Sequence, residues 1–135
     1  MVETKKILFV CVENAGRSQM AEGFLRKYAP NFEAISAGTK PNSQLNPTVI
    51  EVMKEIGIDI TKQTPKELTD EMISSSLTVN MGCMDKNSCP SLFVKDVIDW
   101  NISDPKNQDI EQVREIRDQI KNEILNLVKK LEAEQ

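Results

Sequence analysis

Short apolar runs alternate with longer amphipathic stretches along this chain. Ile7-Leu8-Phe9-Val10-Cys11-Val12 is a continuous β-prone run with basic residues before it and a turn after it, and predicts a fully buried strand over 5–12. Met20, Phe24 and Tyr28 recur four apart and predict a helix over 17–29, which Pro30 ends. Phe32 to Ser36 reads as a second strand, closed by Ala37-Gly38. A second helix is expected from Pro47 to Ile56. Asn46 suits its N-cap, Pro47 its first position and Gly57 its stop, while Val49, Ile50, Val52, Met53 and Ile56 give it one face. Thr64-Pro65-Lys66-Glu67 has the capping-box form and predicts that a short third helix starts there. Ser76 to Met81 and Lys95 to Trp100 predict the third and fourth strands. Ile110, Val113, Ile116, Ile120, Ile124, Leu127 and Leu131 mark a last helix over 109–131, a stripe read as core packing. Strands alternating with helices imply the α/β class: a three-layer α/β/α sandwich on a four-stranded parallel sheet, expected as one domain over 1–135. Such sheets bind ligands at the carboxyl ends of their strands. The loop after Cys11 is therefore the first place to look for chemistry.

Composition narrows that chemistry. The 135 residues carry 17 Lys+Arg against 21 Asp+Glu, a formal charge of −4, with 39% hydrophobic and 28% charged positions. That is an ordinary soluble balance in a chain long enough for a core. Histidine is absent, which excludes a Ser-His-Asp triad, a Cys-His dyad, a histidine base and a histidine metal site within this chain. The negative balance argues against duplex DNA or an anionic membrane surface as the main partner. The longest apolar run is too short to cross a bilayer. Lys5 and Lys6 before it look like the start of a signal peptide, but Glu13 and Asn14 end the run and no small-residue cleavage site follows. A cytoplasmic protein is expected. Three cysteines do not suit a secreted disulfide framework. In a reducing compartment they are more often buried, metal-binding or redox-active.

Cys11-Val12-Glu13-Asn14-Ala15-Gly16-Arg17-Ser18 joins the buried strand to the first helix. A cysteine there sits on the floor of a cleft. The amides of Val12, Glu13, Asn14, Ala15, Gly16 and Arg17 can curl around one point, and the helix N-terminus adds positive potential, so the loop suits a tetrahedral oxyanion. Asn14 and Gly16 can take left-handed dihedrals cheaply, which the tight curl needs. Arg17 can return over the mouth and grip two oxygens with its guanidinium fork. The same field favours a Cys11 thiolate, to which Ser18 can donate a hydrogen bond, so the nucleophile is activated without a base. The plainer reading is a cysteine used as small apolar filler and an arginine on a helix surface. The strand-to-helix context, with Ser after the Arg, favours the chemical reading.

The segment CVENAGRSQMAEG, Cys11 to Gly23, resembles the phosphate-binding loop of the low-molecular-weight protein tyrosine phosphatase fold, and more narrowly the thioredoxin-coupled arsenate reductases of that fold. Ser36-Ala37-Gly38-Thr39, the stretch Val52 to Ile60, Cys83, Cys89-Pro90, Trp100 and Asp104-Pro105 extend the similarity over nearly the whole chain. The resemblance implies arsenate reduction by a thiol relay. Cys11 attacks arsenic, Cys83 attacks the resulting adduct, and Cys89 takes the disulfide to a loop where an external dithiol such as thioredoxin reduces it. The relay needs residues 82–94 to move or refold on oxidation, because bridged Cα atoms lie within about 7 Å. Five residues separate Cys83 from Cys89, one fewer than is usual in the family. Read without the resemblance, Cys83 fits packing after the third strand. A cysteine metal site would need more ligands than this histidine-free chain readily gives. Some relatives hold potassium beside an acidic residue two positions after a threonine. Thr64-Pro65-Lys66 puts a lysine there, either replacing the ion or facing water, and no metal or other cofactor is expected.

Asp104 follows the fourth strand and is either a proton donor to the departing oxygen or an ordinary Asp-Pro turn; the resemblance implies the acid. The main rival activity is tyrosine phosphatase, which needs the same Cys11, Arg17 and Asp104 but also aromatic walls. The chain has only four Phe, one Tyr and one Trp, and Lys106-Asn107 follow the Asp-Pro pair. A non-catalytic oxyanion sensor is the third reading. Expected partners are arsenate, with phosphate or sulfate as analogues, and a dithiol reductant, without nucleic acid or membrane, to a monomer.

Overall fold

The computed structural model describes residues 5–81 and 97–133. Their elements run β1 (Lys6–Cys11), α1 (Arg17–Tyr28), β2 (Glu33–Gly38), α2 (Pro47–Lys54), α3 (Asp70–Ser74), β3 (Leu77–Asn80), β4 (Val97–Asp99) and α4 (Ile110–Ala133). The strands form one parallel sheet in the order β2-β1-β3-β4. The apolar run therefore takes the centre: Leu8 pairs with Ile35 on one side and Thr78 on the other. Alternate β1 residues serve two cores. Ile7 and Phe9 face the larger one with Met20, Phe24, Val52, Ile120 and Ile124 from α1, α2 and α4. Leu8 and Val10 face a smaller one with Ala37 and with Ile73 of α3. These are the three expected layers, unequal in size. No described helix is long and apolar enough to cross a membrane.

The second helix starts as its local signals dictate. Asn46 Oδ1 accepts from Thr48 N at 2.9 Å, and Pro47 takes the first helical position. It stops two residues short of Ile56, because Gly57 at φ +82 lets Gly57 N and Ile58 N return to the carbonyls of Lys54 and Met53 at 3.0 Å each. The second strand starts one residue later than expected and extends two further, to Gly38. The fourth strand is described over Val97–Asp99, residues 95–96 lying outside the described set.

The helix expected from Thr64 is not there. Gly38 N donates to Lys66 O at 2.8 Å, Leu68 N donates to Gly38 O at 2.9 Å, and Gly38 pairs with Glu67 as a parallel bridge. Lys66 N goes to Asn14 Oδ1 at 2.8 Å. The backbone groups that a helix would use internally are thus held by the sheet edge and the loop after β1. The short helix begins later, at Asp70, where Thr69 Oγ1 accepts from Met72 N at 3.2 Å.

Candidate active site

The loop after β1 is held from both sides. Lys40 N, Asn42 N and Asn46 N donate to the carbonyls of Val12, Glu13 and Ala15, each at 2.9 Å. A trans peptide sets N–H opposite C=O, so the amides of Glu13, Asn14 and Gly16 point away from segment 40–46. Helix α1 begins at Arg17 with no side-chain cap and no acidic residue in its first turn. That leaves its N-terminus suited to an anion. Asn14 takes the expected left-handed conformation at φ 51. Gly16 does not, with φ −137. It is needed for space instead, since a Cβ there would stand 2.9 Å from Pro105 Cγ. Gly38 is equally constrained: a Cβ would meet Val12 O at 2.4 Å.

Cys11 is 3% exposed, and its Sγ lies 2.8 Å from Ser18 Oγ. Asn14 Nδ2 donates to that same Oγ at 2.7 Å. The serine oxygen is then an acceptor from Asn14, and its hydroxyl hydrogen is left for the sulfur. Asn14 Oδ1 accepts from Lys66 N at 2.8 Å and Gln19 Nε2 at 3.0 Å, and Gln63 Nε2 donates to Gln19 Oε1 at 2.7 Å. Asn14, Ser18 and Gln19 are fully buried, so this network is a rigid support for the loop.

Arg17 is braced as well. Nη1 donates to Met81 O at 3.0 Å and to Ile102 O at 3.1 Å, while Nη2 lies 3.7 Å from Asp104 Oδ2. One guanidinium nitrogen is therefore committed to the ends of the sheet. Asp104 sits in a tight turn: Lys106 N donates to its Oδ1 at 3.0 Å, Gln108 N donates to Pro105 O at 3.2 Å, and Asn107 has φ 63. Cys11, Val12, Glu13, Ala15, Gly16, Arg17 and Asp104 line one cleft of about 590 Å³, whose other wall is the polar run Asn42 to Thr48. None of its described lining residues is aromatic.

Sequence reasoning missed Gln19 and Gln63, whose only signal was polarity on an otherwise apolar helix face and in a loop. It also missed the pair Lys106 Nζ to Glu13 Oε1 at 2.8 Å. The Glu13 hydrogen bond holds the Lys106 ammonium above the usual lysine range. Cys83, Cys89 and the movement expected of 82–94 lie outside the described residues.

Lys66 does not simply face water. Its Nζ donates to Thr64 O at 2.8 Å and stands 3.9 Å from the buried Glu22 Oε1, which accepts from Ser36 Oγ at 2.6 Å. Arg26 Nη2 is 2.9 Å from Glu22 Oε2. Two cations beside one carboxylate leave no net negative charge for a third, so these residues do not fit a potassium ion. Among the described residues no group of three or more His, Cys, Asp or Glu could hold a metal.

Known proteins are similar to this chain in sequence and fold. A putative arsenate reductase of Halobacterium salinarum is 40% identical, across 92% of this chain and 91% of its own. A glutaredoxin arsenate reductase of Synechocystis is 33% identical, across 94% and 98%. The solved thioredoxin-dependent arsenate reductase of Corynebacterium glutamicum superposes with a TM-score of 0.81 at 36% identity, covering 98% of this chain but 64% of that longer one. The model of the low molecular weight phosphotyrosine protein phosphatase family matches residues 6–135, and with these relatives the chain belongs to that family, on its arsenate reductase branch.

Proposed function

We propose that the protein reduces arsenate to arsenite, using Cys11 as nucleophile and an external dithiol protein of the thioredoxin or glutaredoxin kind as the electron source. The observation that carries this is the buried Cys11 Sγ, 2.8 Å from a Ser18 hydroxyl whose oxygen is itself held by Asn14. That contact aims a hydroxyl hydrogen at the attacking sulfur, and the uncapped start of α1 favours an oxyanion beside it. The thiolate attacks arsenic and water departs, with Asp104 supplying its proton and Arg17 neutralising the oxygens. The Cys83 thiolate then attacks Cys11 Sγ. The S–As electron pair passes to arsenic, reducing As(V) to As(III), and arsenite leaves a Cys11–Cys83 disulfide. Cys89 attacks Cys83, which frees Cys11, and the external dithiol reduces the Cys83–Cys89 bond. The setting is the reducing cytoplasm, and the protein acts as a monomer: Tyr28 and Leu125 are the only exposed large apolar side chains among the described residues.

Phosphomonoester hydrolysis is the second reading, favoured by Asp104 and Arg17 sharing the Cys11 cleft. The cleft's lack of described aromatic walls weighs against aryl phosphates. The test measures arsenate-dependent oxidation of reduced thioredoxin beside hydrolysis of para-nitrophenyl phosphate. Reductase turnover is expected, and hydrolysis without reduction would reverse the order of the two readings. In Cys89→Ser, one arsenite is released per chain before arrest, with a Cys11–Cys83 disulfide in the peptide map. Sustained turnover by this variant would refute the relay.

A further inference from the structure

The reduction described above leaves one feature of the cleft unused. Glu13 belongs to the anion loop, yet it places a carboxylate at the rim of a site meant for a dianion. Across the cleft, Lys106 follows the Asp104-Pro105 turn, and its Nζ meets Glu13 Oε1 at 2.8 Å. Both residues line the cleft beside Cys11 and Arg17. The side chains are 57% and 35% exposed, so the pair is a weak contributor to stability. Its effect on potential is larger. At the rim of the cleft the Lys106 and Glu13 charges cancel, so removing Lys106 leaves an unmatched negative charge there and removing Glu13 an unmatched positive one. The raised proton affinity of Lys106 keeps it cationic throughout the neutral range.

We infer that Lys106 is a charge-masking residue: paired to Glu13 across the mouth, it cancels the carboxylate of the anion loop and so sets the affinity for a small inorganic oxyanion dianion without touching the anion. It acts through Glu13, and a Glu13 freed of its partner repels substrate. This rests on the oxyanion-binding reading of the Cys11 loop and adds to it the source of the affinity.

The two are separated by a double-mutant cycle read on binding as well as turnover. The probe is inorganic arsenate, its affinity taken from protection of the Cys11 peptide against iodoacetamide at low salt and compared with KM. Lys106→Ala weakens protection and raises KM by about tenfold, a loss that shrinks as salt is added. Glu13→Gln binds arsenate more tightly than the unaltered protein. The double variant returns to within about twofold of it, because both charges are gone. If the double variant is as weak as Lys106→Ala, the lysine contacts the anion itself and masking is overturned. An unchanged Lys106→Ala overturns it too. Both residues are part-exposed, and melting curves of all three variants check that they remain folded. If arsenate fails to protect Cys11 even in the unaltered protein, the reductase reading falls, and masking falls with it. Normal protection and turnover with the wrong pattern among the variants sinks masking alone.

Discussion

Two charged clusters in this molecule use the same kinds of side chain to opposite ends. Between α2 and α4, Glu55 accepts from Arg114 Nη2 at 2.6 Å and from Arg117 Nη1 at 2.8 Å, and Arg117 Nη1 also donates to Val52 O at 2.9 Å. Charge there is answered by charge, and the cluster ties one helix to another. Around Cys11 the supporting groups are neutral and buried: Asn14, Ser18 and Gln19 satisfy one another and the loop carbonyls. Arg17, the buried cation described beside Cys11, donates to carbonyl oxygens at Met81 and Ile102 and stands 3.7 Å from the Asp104 carboxylate. A guanidinium held by dipoles keeps its net charge, and a substrate dianion can use it. A guanidinium held by a carboxylate has already used it.

The comparison breaks most sharply at Arg17. Arg17→Lys loses the planar fork, in which Nη1 reaches Met81 O and Ile102 O while other N–H groups of the same plane can serve the anion, and arsenate turnover should fall by at least about a hundredfold. Retention of a tenth or more of the wild-type rate would mean that charge alone suffices there. Next comes Asn14→Ala. It removes the acceptor for Lys66 N and the donor to Ser18 Oγ, costing about 1–3 kcal/mol in thermal or urea unfolding as well as most of the turnover. Lost turnover without lost stability would mean that Asn14 serves the anion and not the loop.

The smallest effect is expected from Glu55→Gln, in the cluster that lacks chemistry. Turnover should stay within about twofold, since Glu55 is not among the described residues that line the cleft. Its carboxyl is held below the usual 4.5, chiefly by the hydrogen bond from Arg114. A depressed carboxyl stabilises the fold fully above the unfolded value and loses that contribution as pH falls through the folded one. The melting temperature of the native protein should therefore exceed that of the variant at neutral pH, and the gap should close on acidification below about 4.5. A gap that widens in acid would show the sign to be wrong.

Much of this was legible because it is local. The run from Ile7 to Cys11 reads as a buried strand from its β-prone content and flanks, and Asn46, Pro47 and Gly57 mark helix ends by their own dihedral preferences and side-chain bonds. Cysteine, amide-rich turn, arginine and serine lie within eight consecutive positions, so the anion loop could be read as one object. The misreadings share a cause. Thr64 to Glu67 has good capping chemistry, but Gly38 and Asn14, distant in sequence, take the same backbone groups. Gly16 looked like a dihedral requirement and is a clearance for Pro105.

What the sequence by itself determined was therefore each element's periodicity, its caps and the content of the nucleophilic loop, since those depend on neighbours a few residues apart. Which partner each polar group would finally meet was decided only by tertiary structure: Asn14 by Lys66, Arg17 by the ends of β3 and of the segment after β4, Glu13 by Lys106. A hydrogen bond is worth about the same whether its partner is four residues away or ninety, so sequence distance cannot choose between them. Packing of α1, α2 and α4 onto one face of the sheet brings the distant partner within reach, and then geometry chooses.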